Sequence, residues 1–273
     1  MNEIDEFKET ILKEFPRYGL QDTFRFECHP GLRCFTECCS DITIFLTPYD
    51  IIRMKNNLGI SSQEFLEKYT VSPFTKEQRL PVIVLKMGEE AEKRCPFVTE
   101  KGCTLYEDRP WACRMYPLGL ASPKENESPN NEEEFYFLLR EPSCEGLKEE
   151  RKLTVSEWLE NQGVSFYDQM GGDFKEITLH DYFQKGNNLS PEKMEMFHLV
   201  CYNVDKFRDF VFNSTFLNRL DVDEDTVQAI RTDDTALLKF GLQWLRFCLF
   251  GEKTIQVKEE VAQRVREQAQ VKD

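Results

Sequence analysis

The spacing of the hydrophobic residues differs between the two halves of the chain. Residues 41–46 alternate apolar and other side chains, and residues 81–87 are rich in β-branched side chains, so each segment predicts a short strand. Residues 190–211 and 234–249 carry apolar side chains at every third or fourth position, which predicts two long helices. The pattern therefore predicts an α+β fold in which short strands and helices precede a mostly helical C-terminal lobe.

Residues with capping propensity mark where several of the shorter helices begin and end. Thr47 is predicted as the N-cap of a helix whose first turn contains Asp50, and Gly59 supplies the left-handed residue after its last turn. Ser61 and Thr154 are each followed by a glutamate three positions later, which predicts two further helix starts.

The chain is long enough for two domains. Its 273 residues exceed the about 100–200 residues of one typical domain. We expect a cysteine-rich metal-binding domain over residues 20–150 and a mostly helical lobe over residues 151–273. Residues 3–15 predict an amphipathic helix, residues 121–134 a solvated loop, and the valines between positions 257 and 265 a final helix.

The charge of the chain argues against two classes of partner. Lys and Arg number 35 against 49 Asp and Glu, which gives a net charge of −14. A chain this acidic is not attracted to phosphate backbones or anionic lipids, so we expect neither a nucleic-acid nor a membrane partner. The N-terminus lacks a basic and apolar signal, and no apolar run reaches the roughly 20 residues of a spanning helix. We therefore expect a cytoplasmic protein.

The cysteines are concentrated in the first half of the chain. Disulfide bonds are rare in a reducing cytoplasm, so clustered thiols there indicate metal binding or redox chemistry. Two of the ten cysteines, Cys201 and Cys248, lie on apolar helical faces and are expected to pack as small hydrophobic residues. The candidate metal ligands are the other eight: Cys28, Cys34, Cys38, Cys39, Cys95, Cys103, Cys113 and Cys144.

The spacing of these cysteines leaves the metal open. The first cluster reads C-x5-C-x3-CC and the second C-x7-C-x9-C, which match neither paired zinc ligands nor a ferredoxin run. Thiolates favour zinc and iron–sulfur centres alike, so the cofactor is zinc or an iron–sulfur cluster. Eight cysteines allow two four-cysteine sites or one site with spare thiols. The adjacent Cys38 and Cys39 either chelate together through a bent loop or serve two centres.

Several charged or polar side chains lie close to these cysteines in the sequence. Arg33, Arg94, Arg109 and Arg114 could donate hydrogen bonds to sulfur and offset the negative charge of a thiolate centre, or pair with ordinary surface carboxylates. His29 lies inside the first cluster, where it is either a ligand or a solvated loop residue.

An ordered series of motifs runs across residues 24–120. The motifs are Cys34, Cys38 and Cys39, residues 46–61, Cys95-Pro-Phe, Gly102-Cys103-x-x-Tyr106, and Arg109-Pro-x-x-Cys113-Arg114-x-Tyr-Pro117. Together they resemble the YkgJ-like cysteine-cluster family, although the first cluster here is wider than the CxxCxxCC signature of that family. The resemblance implies a domain that chelates zinc or iron. One branch of that family resembles flagellin lysine N-methylases, which are thought to use S-adenosylmethionine and an iron–sulfur cluster.

Three functions are compatible with these observations. The first is a metal-binding protein that chelates zinc or an iron–sulfur cluster through its cysteines, in a structural or redox role. The second is an S-adenosylmethionine-dependent protein lysine N-methylase that contains an iron–sulfur cluster. The third is a zinc-stapled module that binds another protein. The sequence contains no glycine-rich phosphate loop and assigns no catalytic residue, so it leaves open whether the protein is an enzyme, and its oligomeric state.

Overall fold

The computed structural model describes residues 15–73, 79–121, 134–261 and residue 263. The helix predicted over 3–15 and the loop predicted over 121–134 lie outside the described residues except at positions 15, 121 and 134. The final helix predicted from Val257 begins later, because Val257 forms an antiparallel bridge with Leu220 and the helix is described only from residue 259. The remaining elements are short strands and helices followed by a run of helices, so the predicted α+β class is confirmed.

The strands are two to four residues long. They are β1 (Thr23–Arg25), β2 (Phe45–Leu46), β3 (Thr70–Val71), β4 (Ile83–Leu85), β5 (Val98–Thr99), β6 (Gly102–Cys103), β7 (Leu118–Ala121), β8 (Phe135–Leu138) and β9 (Lys152–Thr154). The helices are α1 (Pro48–Leu58), α2 (Ser62–Tyr69), α3 (Trp111–Met115), α4 (Val155–Asn161), α5 (Val164–Thr178), α6 (Asp181–Gln184), α7 (Pro191–Tyr202), α8 (Val204–Asn213), α9 (Glu224–Thr232) and α10 (Asp234–Phe250).

The chain folds into two compact units, each built from two segments. The cysteine unit comprises residues 1–44 and 87–168, and the helical unit comprises residues 45–86 and 169–273. Helices α1 and α2 therefore group with the C-terminal helices, because α1 packs against α7 and α10 and α2 packs against α8. The predicted domain boundary between residues 150 and 151 stays a prediction. The two compact units are defined by the contacts within each, which do not show whether either unit folds independently.

The cysteine unit has a small aromatic core beneath its first strand. Strand β1 pairs with β9, β5 with β6 and β7 with β8, all antiparallel. Phe24 and Phe26 each meet Trp158 edge to face, and the indole of Trp158 donates to the carbonyl of Met115 at 3.3 Å. No residue from 27 to 43 is buried, so this core does not extend under the first cysteine cluster.

Capping residues place the helices of the helical unit as the sequence predicts. The Thr47 amide donates to the Asp50 carboxylate at 2.7 Å, and the Asp50 amide donates to the Thr47 hydroxyl at 3.1 Å, which completes a capping box. Gly59 and Gly251, with φ of 65° and 73°, end α1 and α10 in the left-handed region.

One long helix predicted over residues 190–211 is broken. Helix α7 ends at Tyr202 and α8 begins at Val204, because Asn203 leaves helical geometry at φ −116° and ψ 65°. Its side-chain oxygen accepts from the Lys206 amide and from the buried Ser62 hydroxyl, so a local cap replaces continuous helix. Within the described residues, no helix combines the length and the apolar character that crossing a membrane requires.

A buried lysine connects three helices of the helical unit. The Lys55 side chain, 7% exposed, has its Nζ 2.8 Å from an Asp234 carboxylate oxygen and 3.5 Å from Asp205. Arg208 contacts Asp234 at 2.6 Å. These ion pairs tie α1 to α8 and α10, and they are shielded from the solvent that weakens surface pairs.

We expect Lys55→Met to lower the free energy of unfolding of the helical unit by about 3 kcal/mol, because it removes the partner of a largely buried carboxylate. Urea unfolding followed by circular dichroism measures this loss. The control is Lys185→Met, since Lys185 and Asp181 form an exposed pair with both side chains more than 70% accessible. That variant should cost less than about 0.5 kcal/mol. Equal losses in both variants would contradict the assignment of Lys55 to a buried network.

The contribution of this network should also depend on pH. Burial alone would raise the pKa of Asp234, but hydrogen bonds from Lys55 and Arg208 outweigh it and lower the pKa below its ordinary value. The stabilisation is then fully present above the ordinary aspartate pKa of about 4 and is lost as the pH falls through the lower folded value. The difference in unfolding free energy between wild type and Lys55→Met should therefore shrink below about pH 4. A difference that grows on acidification would contradict this.

Candidate metal centre

The eight candidate cysteines all lie in the cysteine unit. No disulfide bond joins any described cysteines, and none of these eight is fully buried. Cys201 is buried and Cys248 is partly buried, both in the helical unit, and burial raises the pKa of each thiol. These two cysteines therefore behave as packed thiols.

Four of the candidate thiols form one neighbourhood, which we call the first thiol group: Cys28, Cys34, Cys38 and Cys144. Burial, followed by the thiols of Cys38, Cys34 and Cys144, raises the pKa of Cys28 to about 11. Thiols that shift one another in this way share one neighbourhood, because the interaction between two charges falls with distance. Positions 28 and 144 are more than one hundred residues apart in the chain.

Backbone hydrogen bonds hold the first thiol group together. The Glu27 amide donates to the carbonyl of Gly146 at 3.0 Å, which brings the Cys28 segment beside the Cys144 segment. A Cβ at position 146 would lie 2.6 Å from the Glu27 carbonyl oxygen, so only glycine permits this approach. The Glu145 amide donates to Cys34 Sγ at 3.2 Å, a contact that also stabilises a thiolate.

The other four candidates form the second thiol group: Cys39, Cys95, Cys103 and Cys113. A hydrogen bond to Cys38 raises the pKa of Cys39 most, followed by burial and by the thiols of Cys38, Cys95 and Cys113. Burial is the main cause of the raised pKa of Cys95, and the Cys103 thiol adds to it. Electrostatic interactions between these thiols therefore link the members of the second thiol group.

The cysteines of the second thiol group are positioned by backbone pairing, a short hairpin and one short helix. The Cys95 amide donates to the Cys39 carbonyl at 2.8 Å. Strand β6 places Cys103 opposite Val98 of β5, three residues after Cys95. Helix α3 carries Cys113 in its first turns.

The adjacent cysteines connect the two groups. Cys38 and Cys39 lie in a 3-10 turn, entered through Thr36 at a left-handed φ of 72°. The Cys39 thiol donates a hydrogen bond to Cys38, which lowers the pKa of Cys38 to about 7 despite its partial burial. Cys38 thus belongs to the neighbourhood of Cys28, and Cys39 to that of Cys95.

The donor chemistry of both groups fits a thiophilic metal. Four thiolates are the ligand set of structural zinc sites and of iron–sulfur clusters. As the side chains are placed, no three His, Cys, Asp or Glu in the described part of the chain converge closely enough to hold an ion. Neutral thiols attract one another only weakly, so a bound ion would have to supply the attraction that draws neighbouring sulfurs to ligand distance. His29 lies outside both groups, with Nε2 3.9 Å from a Glu149 oxygen.

The four arginines near the cysteines divide into two kinds. Arg33 is exposed and pairs with the Glu145 carboxylate, and Arg94 lies 3.8 Å from a Glu92 oxygen and donates to the Thr36 hydroxyl. These two arginines therefore pair with surface carboxylates, which is the second of the two alternatives that the sequence left open.

Arg109 and Arg114 are buried instead. Arg114 donates to the backbone carbonyls of Arg109 at 3.0 Å and of Gln162 at 2.7 Å, and Arg109 donates to the Gln162 side chain. Burial lowers the pKa of Arg109, against which the charge of Cys113 acts. Burial raises the pKa of Cys103, and the positive charge of Arg109 partly opposes that rise. A buried cation therefore lies beside the second thiol group, where it offsets thiolate charge.

Tyr116 is a residue near the first thiol group that sequence reasoning missed. Its hydroxyl is buried and has no partner of normal hydrogen-bond geometry within the described residues. Burial, followed by the adjacent Cys144 thiol, raises the pKa of Tyr116. The phenol is thus placed to donate to Cys144 once that sulfur is ionised. The motif that ends in Tyr116-Pro117 was the only signal for it in the sequence.

A cleft of about 400 Å³ lies beside Cys144. Cys144 lines it together with Phe24 and Leu138, and basic side chains at Arg25 and Arg140 contribute to its wall.

Comparison with known proteins agrees with this donor chemistry. A family model named CxxCxxCC, described as "Putative zinc- or iron-chelating domain", matches residues 27–145. No curated protein and no solved structure gives a significant match to the chain. All eight candidate cysteines fall inside the matched range, and Cys201 and Cys248 fall outside it. Residues 27–145 are therefore similar to the CxxCxxCC family, whose domain is described as zinc- or iron-chelating.

Proposed function

We propose that the eight candidate cysteines bind zinc or an iron–sulfur centre, and that the metal holds the surrounding loops in place. The observation that carries this proposal is the convergence of cysteine segments that are remote in sequence. The Glu27 amide donates to the Gly146 carbonyl, close in the chain to Cys28 and Cys144, and the Cys95 amide donates to the Cys39 carbonyl. Packing cysteines that served no common ligand would have no reason to gather from three separate segments.

A structural role for the metal follows from the scarcity of buried residues in the cysteine-bearing loops. No residue from 27 to 43 is buried, and from 86 to 104 only Phe97 is. Hydrophobic burial therefore contributes little to holding these segments. Binding of a structural zinc ion releases about 10–16 kcal/mol in small peptides, which is enough to order such loops. The methylase and interaction-module hypotheses stay predictions, because no feature described above bears on a methyl donor or on a partner protein.

Replacing the adjacent cysteines tests the ligand assignment. We expect the double variant Cys38→Ser, Cys39→Ser, purified without oxygen, to lose most of the zinc or iron that the wild type carries, because it removes one thiol from each group. Elemental analysis of metal per chain measures this. The matched control is Cys248→Ser, a partly buried cysteine of the helical unit, which should retain the full metal content. Equal metal content in the double variant and the control would contradict the proposal.

Removing the metal tests the structural role. We expect a chelator to increase amide hydrogen exchange strongly in peptides covering residues 27–44 and 93–104, because the metal substitutes for a hydrophobic core there. Peptides from α7, α8 and α10 should keep their protection, since these helices pack in the helical unit. Mass spectrometry of proteolytic fragments resolves both regions. A metal whose removal left all peptides unchanged would have no structural role.

A further inference from the structure

The geometry points to two separate four-thiolate metal centres in the cysteine unit, one formed by the first thiol group and one by the second. The inference rests on the proposed function and adds to it the number of centres and the ligands of each. The ligands of the first centre are Cys28, Cys34, Cys38 and Cys144. The ligands of the second centre are Cys39, Cys95, Cys103 and Cys113.

The path of the backbone separates the two sets. The segment from 27 to 34 is hydrogen-bonded to residues 144–146, through the Glu27 amide to the Gly146 carbonyl and through the Glu145 amide to Cys34 Sγ. The second set is assembled elsewhere, by the Cys95 amide on the Cys39 carbonyl and by the β5–β6 hairpin. Each set therefore has its own scaffold.

The turn at Cys38 and Cys39 explains how one segment serves both centres. Successive side chains of a 3-10 helix point about 120° apart, since the helix has about three residues per turn. Adjacent cysteines in the Glu37–Cys39 turn consequently face different neighbours. The charge of Cys38 acts on Cys28 and Tyr116, and the charges of Cys95 and Cys113 act on Cys39, whose backbone carbonyl also accepts from the Cys95 amide. The hydrogen bond between the Cys38 and Cys39 thiols joins the two sets.

The surroundings of the two sets also differ. The buried Arg109 guanidinium acts on Cys103 and Cys113 of the second set. The buried Tyr116 hydroxyl lies beside Cys144 of the first set. Each set thus has one group that compensates thiolate charge, a cation in the second and a hydroxyl donor in the first.

The binding chemistry balances without an oxidant or a reductant. Each zinc ion forms four Zn–S bonds, and the S–H bonds of its four cysteines break with release of their protons to water. Both centres then carry a formal charge of −2, because four thiolates surround one divalent cation.

Zinc titration of group-specific variants tests the number of centres. Metal-free protein is prepared without oxygen and loaded with zinc alone, and bound zinc per chain is measured after removal of excess ion. The first-group variant is Cys34→Ser, Cys144→Ser and the second-group variant is Cys95→Ser, Cys103→Ser. We expect two zinc ions in the wild type and in the Cys248→Ser control, one in each group variant, and none when the two variants are combined.

Alkylation of the zinc-loaded variants, read out for each cysteine by mass spectrometry, identifies the surviving centre. The first-group variant should protect all thiols of the second group and leave Cys28 and Cys38 reactive. The second-group variant should show the reverse, so loss of folding in one variant leaves the other as an independent test.

Other stoichiometries overturn the inference in different ways. One zinc ion in the wild type that both variants abolish would mean a single centre that draws on both groups, and the proposed function would stand. One zinc ion that only one variant removes would leave the other group as spare thiols. A wild type that binds no zinc and, reconstituted with iron and sulfide, no cluster would overturn the proposed function itself.

Discussion

The cysteine unit depends on closing its chain around thiols that come from three distant segments. Bringing Cys28 to Cys144 closes a loop of more than one hundred residues, and loop closure carries an entropy cost that the local structure must offset. Strands of two to four residues and a small core around Trp158 offset part of this entropy cost. Under the proposed function, metal–thiolate bonds would be the strongest interaction that holds the loops without a hydrophobic core. The hydrogen bonds that hold Gly146 against Glu27 and Cys95 against Cys39 then place the sulfurs for that interaction.

The two units achieve stability by different means. The helical unit buries large side chains such as Phe197, Phe207 and Leu242, and it compensates its buried Lys55 with carboxylates. It therefore needs no ligand to explain its packing. The cysteine unit combines exposed loops with half-buried thiols and a cleft beside Cys144, which is the arrangement expected where binding, and not burial, supplies the free energy.

Local features were predictable from the sequence because they depend on neighbouring residues. The capping box at Thr47 and the left-handed Gly59 involve contacts within a few positions, and both are found. The break at Asn203 was not predicted, because a side-chain cap and the hydroxyl of Ser62 outweigh an apolar repeat that continues through it. The candidate ligands could be named from composition alone. Their division into two groups could not, since it follows from long-range pairing such as Glu27 with Gly146. The role of Tyr116 likewise depends on a neighbour, Cys144, that lies far along the chain.

X-ray absorption at the metal edge of protein purified without oxygen tests the central claim most directly. The account predicts a first shell made of sulfur alone, at about 2.3 Å with four sulfurs per metal if the ion is zinc. If the metal is iron, an additional iron–iron distance reports a cluster with the same sulfur-only shell. A shell dominated by nitrogen and oxygen, or a shell unaltered by the Cys38→Ser, Cys39→Ser substitution, would contradict coordination by these thiols.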